Sequence, residues 1–183
     1  MNRILIFAFA IIAINMAAFA FFDSGQLSLS YSSLQIQNLF LFQFMHFSLT
    51  HLMENVVGLA LVAAIAMELD MKFENFLKAY FVGVFIAVPV LLFFPGAIIA
   101  GNSTGIYSVL AATLVKAKNF VPQKITLPLF SVFIFSLSIA NFFMCGSCIS
   151  NLLKTDIMHF SGFASGVASR FRKSGSKRLL RCD

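Results

Sequence analysis

The stretch Gly101–Lys116, GNSTGIYSVLAATLVK, decides the fold. Its first residues are small and polar, the rest are apolar, and a lysine ends it. From Ser103 to Lys116 it holds 14 residues, about 21 Å of helix at 1.5 Å per residue. A bilayer's hydrocarbon is roughly 30 Å thick. If Lys116 marks one membrane edge, a helix starting at Ser103 begins about 9 Å below the other. Irregular backbone at that depth is tolerated only where protein or a water-filled cavity surrounds it. Gly101–Asn102–Ser103 therefore reads as the floor of a wet pocket. A helix N-terminus there offers free N–H groups and partial positive charge, which suits a developing oxyanion.

The surrounding chain supports a membrane reading. Of its 183 residues, 60% are hydrophobic and only 11% are charged, against about 25% charged in a soluble domain. The apolar residues lie in long blocks, most of them near the roughly 20 residues that a spanning helix needs. The blocks are Ile4–Phe22, about 46–68, Phe73–Phe94, Ser103–Lys116, about 125–145 and about 156–171. Residues 23–44 are too polar to span and too apolar for a free linker, which places them at the interface. The fold expected is all-α, a bundle of six transmembrane helices over residues 1–171, with a basic tail at 172–183.

Charge orients it. Arg3, Lys72, Lys78, Lys116, Lys118, Lys124 and the tail fall on one side, and only Lys154 falls on the other. Cytoplasmic loops carry the excess of lysine and arginine, so both termini are expected in the cytoplasm. The net charge of +6 is explained by topology and contact with anionic lipid, and no nucleic-acid partner is needed. The start of the chain has the look of a signal peptide, with small residues at Ala18 and Ala20. The apolar run is longer than the roughly 7–15 residues of a signal peptide's apolar region, which favours a span.

Intramembrane polar side chains are functional candidates by default, and they fall into three groups. HFSLTHLMENVVG contains His46, His51, Glu54 and Asn55, GNSTGIY contains Ser103 and Tyr107, and HFSGFASG contains His159, Gly162 and Gly166. His51 and Asn55 are four residues apart and share a helix face, as do Ser103 and Tyr107. Small residues at three- and four-residue spacing let membrane helices approach closely. Gly162 and Gly166 can meet Gly105, Ser108, Ala111 and Ala112, bringing His159 beside Ser103. Histidine is the usual base for a nucleophilic serine.

Taken in order, these motifs resemble those of the rhomboid intramembrane serine proteases. The family's Gly-x-Ser-Gly with a following aromatic corresponds to Gly101, Asn102, Ser103 and then Tyr107. Its His-x-x-Gly-x-x-x-Gly corresponds to His159, Gly162 and Gly166, and its His-x-x-x-x-His-x-x-x-Asn to His46, His51 and Asn55. The resemblance implies Ser103 as nucleophile and His159 as general base, with Tyr107 packing on the imidazole in place of an acid. It implies an oxyanion site made of the Ser103 backbone N–H, His51 and Asn55, with His46 as a structural support. It further implies single-span membrane proteins as substrates within the lipid bilayer, and neither cofactor nor metal.

Two departures stand out. Thr104 replaces the glycine after the nucleophile, where a side chain can crowd neighbouring spans. The family's Trp-Arg pair of the first loop is absent, Gln37 and Asn38 standing in those places. A catalytically inactive relative that binds transmembrane helices is the alternative function, and a small transporter using the histidines and Glu54 is a third. Glu68 is expected as a structural hydrogen-bonding residue, and Glu54 faces the pocket, is protonated, or snorkels outward. Cys145 and Cys148 fit a disulfide, two thiols or metal ligands, and Cys182 a free thiol. Small size favours a prokaryotic inner membrane. Substrate identity and oligomeric state are not legible in the residues.

Overall fold

In the computed structural model, residues 2–31, 34–94, 96–117 and 149–171 are described. The expected fifth span, Cys145, Cys148, Cys182 and the basic tail lie outside them. The first helix, α1 (Arg3–Phe21), is capped by Asn2, whose side chain accepts the Ile4 N–H at 2.9 Å. Ile4, Ala8, Ile11, Asn15 and Ala18 form its buried stripe. Its other faces carry exposed apolar residues such as Phe9, 62% accessible. Large apolar side chains on the outside are the pattern expected where the solvent is lipid.

Residues 23–44, expected at the interface, fold as short pieces: α2 (Ser24–Leu27), β1 (Leu29–Ser30), α3 (Ile36–Leu41) and a 3-10 turn at Phe42–Phe44. Next comes α4 (Leu49–Glu68). Ser48 ends the extended approach and caps this helix by accepting the His51 N–H at 3.1 Å. His46, expected inside the second span, thus lies before its first turn. The α4 helix closes at Asp70, a left-handed residue with φ 50°, whose carbonyl accepts from Lys116. Glu68 is exposed and makes no hydrogen bond with the described residues, against the expected structural role.

The next helix, α5 (Phe73–Leu91), ends two residues after Pro89, three residues short of the expected Phe94. Then follow β2 (Ile98–Ile99), α6 (Ser103–Ala117) and α7 (Ile149–Phe171). The last of these starts seven residues before the expected position 156. Among the described residues, α1, α4 and α5 are each long and apolar enough to cross a membrane.

The centre of the bundle is α6, with Thr104, Gly105, Ile106, Ser108, Val109, Ala111, Ala112 and Thr113 all buried. A helix buried nearly all round is the hub of its bundle. It packs on α7, α5 and α4. Glycines make those contacts close: a Cβ on Gly162 would strike the Thr104 backbone, one on Gly166 the Ser108 backbone, and one on Gly83 the Thr104 carbonyl and Ser108 Cβ. Gly105, expected to meet the sixth span, instead faces α5 at Val84 and Tyr80. The Ser108 hydroxyl donates to the Ala79 carbonyl at 2.6 Å and accepts from Ser165 at 3.3 Å, tying all three helices.

Candidate active site

The helix pair α6–α7 places two side chains in contact. Ser103, first residue of α6, lies with Oγ 3.0 Å from His159 Nε2. His159 comes from α7, one turn before the Gly162 contact. That contact sets the separation, because with Gly162 on the Thr104 backbone the two helices are too close for the side chains to miss. Tyr107, one turn below Ser103, stacks on the imidazole with centroids 4.4 Å apart and planes at 21°. No carboxylate hydrogen-bonds His159 among the described residues. For Nε2 to receive the serine proton, the ring must carry its own proton on Nδ1.

The approach to Ser103 is shaped by Gly101, whose φ is +91°. Only glycine adopts that conformation without strain. A Cβ there would also lie 3.0 Å from both His51 Nε2 and Asn55 Nδ2. Those two side chains, one turn apart on α4, therefore converge on the backbone just ahead of the serine. The Asn55 Nδ2 is buried with no hydrogen-bond partner among the described residues. A buried unmade donor costs about 1–3 kcal/mol, which fits a donor reserved for a ligand. His46 sits behind them, buried, with Nδ1 donating to the Phe44 carbonyl at 3.1 Å and its ring edge-on to His51 at 5.1 Å.

Two features were not anticipated from the residues. The first is a buried polar chain: Asn102 Nδ2 donates to the Tyr80 hydroxyl at 3.0 Å, and that hydroxyl donates to Gln43 Oε1 at 3.4 Å. Gln43 in turn donates to the Phe40 carbonyl at 3.0 Å. The second is how the 24–44 segment is held without a Trp-Arg pair. The β1 strand pairs antiparallel with β2, Leu29 opposite Ile99. Asn38 is buried and donates to the Ser28 carbonyl at 3.2 Å, and the Gly101 N–H donates to the Phe42 carbonyl at 2.9 Å. Gln37, its neighbour, is exposed and donates to Gln35 Oε1. The segment is thus fastened to the strand and turn that lead into Ser103.

Thr104 is buried, and its hydroxyl has no partner among the described residues. Its backbone makes the close contacts, the missing Cβ atoms being those of Gly162 and Gly83. Glu54 is exposed on α4, and it and Asp156 lie within electrostatic reach of Tyr107. Among the described residues no cluster of His, Cys, Asp and Glu has the geometry to hold a metal.

Comparison with known proteins gives one finding. The family profile described as Rhomboid domain matches residues 33–175, spanning His46, the histidine of α4, the serine of α6 and the histidine of α7. No curated protein and no solved structure matches the chain significantly.

Proposed function

The chain belongs to the rhomboid family, an integral-membrane family generally made up of intramembrane serine proteases, and on that premise we propose that it is an active endopeptidase using a Ser103–His159 dyad. The observation that carries the reading is the 3.0 Å contact between Ser103 Oγ and His159 Nε2 at the start of the hub helix. In this mechanism Ser103 Oγ attacks the scissile carbonyl as His159 Nε2 takes its proton. The carbonyl oxygen becomes an oxyanion against the Ser103 N–H, His51 and Asn55. His159 then gives the proton to the leaving amine, and a water deprotonated by the same nitrogen releases the acyl group. Tyr107 keeps the imidazole in plane with the serine, the task a carboxylate has in a triad.

The substrates are single-span membrane proteins, cut near one end of a transmembrane helix that carries small or helix-weakening residues. The bundle has six spans, with both termini in the cytoplasm of a prokaryotic cell and the dyad near the outer face of its inner membrane. Incubation of the detergent-purified protein with a generic transmembrane substrate tests this. Wild type is expected to cut it, and Ser103→Ala and His159→Ala to leave it whole. Equal cutting by Ser103→Ala would overturn the assignment. Intact, folded wild type that binds the helix without cutting it would favour the inactive, helix-binding relative, the reading that Thr104 keeps open.

A further inference from the structure

One cavity borders the elements that carry the candidate site without including the dyad. It measures about 340 Å³ and is lined by Phe47, Gly96, Ala97, Ile98, Lys154 and Thr155. Each wall continues into an element of the candidate site. Phe47 stacks on His51, with centroids 6.4 Å apart and planes at 23°. Gly96–Ile98 runs through β2 into Gly101 and Ser103. Thr155 stands four residues, one helical turn, before His159 on the same face of α7. That turn is about 6 Å, the length of about two residues of extended chain.

The side chains lining the cavity are apolar except those of Lys154 and Thr155. Among the described residues, Lys154 is the one lysine or arginine at the dyad end of the bundle. Arg3, Lys72, Lys78 and Lys116 sit at the other, where Lys78 and Lys116 donate to backbone carbonyls. Lys154 has no hydrogen bond or ion pair with the described residues. Asp156, the nearest acid in sequence, is two positions on and so about 200° around the helix, where it acts on Tyr107. A cation without a partner among the described residues, in a cavity beside a peptide-cutting site, is placed to recognise an anion on what enters.

We propose that this cavity is a substrate subsite in which Lys154 binds a carboxylate side chain, so that an Asp or Glu about two residues from the scissile bond selects the substrate. The inference rests on the reading of the dyad as a peptide-binding site, and binding tests it apart from cutting. A fluorescent synthetic single-span peptide is titrated against Ser103→Ala in zwitterionic micelles, with Glu, Gln or Lys placed in turn along the stretch flanking its membrane helix. At one position Glu is expected to bind about two- to fivefold tighter than Gln, the range of a partly exposed ion pair. Adding Lys154→Glu should reverse that order in favour of Lys, and Lys154→Arg should keep it. No preference at any position, or a Glu preference that survives Lys154→Glu, would overturn the subsite. So would a Lys154-dependent effect of added phosphatidylglycerol without discrimination among peptides, which assigns the charge to lipid. Wild type run in parallel separates the two readings: charge-selective binding without Ser103-dependent cutting keeps the subsite and rejects the protease.

Discussion

Gly162→Ala is the perturbation whose effect the helix packing states most sharply. An added Cβ would lie 2.9 Å from Thr104 Cα and 3.0 Å from its carbonyl carbon, where ordinary contact begins at 3.4 Å. The Thr104 carbonyl oxygen is nearer still, so α6 and α7 must part by at least about 0.5 Å. Neither neighbour is a flexible side chain that can swing away. The dyad sits one turn from this contact. A retreat of that size along the Ser103–His159 line takes 3.0 Å to about 3.5 Å, beyond a good hydrogen bond. Overpacking of this kind costs about 1–3 kcal/mol, and a misplacement of about 1 Å can cost about a hundredfold in rate. Gly162→Ala should therefore stay helical by circular dichroism, melt earlier, and label with a fluorophosphonate at least about tenfold more slowly. Phe160→Ala, at a site 72% accessible on the same helix, is the control and should label like wild type. Normal labelling by Gly162→Ala would refute the argument that this contact sets the dyad distance.

Further outcomes follow from other contacts. Gly101→Ala forces a side chain into a left-handed backbone and against His51 and Asn55, so labelling should be lost while the helix content seen by circular dichroism persists. Asn55→Ala removes a donor that is unpartnered among the described residues and should slow substrate cleavage about 10²–10³-fold with little change in melting temperature. Tyr80→Phe strands the Asn102 amide and should lower stability by about 1 kcal/mol in a thermal melt. It should also slow turnover, and Asn102→Ala in the Tyr80→Phe background should add less than it does alone.

The parts of the fold legible in the residues are those that lipid dictates. The helices α1, α4 and α5 are long apolar runs, as a helix that crosses hydrocarbon must be, and α6 was recognisable by being too short. Boundaries were less legible where a polar side chain overrides the run. Ser48 caps α4 after His46, a detail that hydropathy does not register.

The grouping of Ser103, His159, Tyr107, His51 and Asn55 was readable from helical spacing and from the family resemblance. Which neighbour each small residue touches was not. Gly105 has the right spacing for α7 yet packs on α5, and Gly83, on α5, does for α6 what Gly162 does from the other side. The Gln43–Tyr80–Asn102 chain joins three segments far apart in sequence. Its only advance sign was a tyrosine in an apolar helix, a residue whose hydroxyl usually finds a hydrogen-bond partner when buried.

The most direct test of the central claim is the site of covalent capture. Wild type, Ser103→Ala and His159→Ala are treated with a fluorophosphonate, whose phosphorus bonds to an activated serine oxygen as fluoride leaves, and the adduct is mapped by peptide mass spectrometry. The dyad predicts a single adduct on Ser103 in wild type and none in either variant. An adduct on another serine, or capture at Ser103 undiminished in His159→Ala, would contradict it.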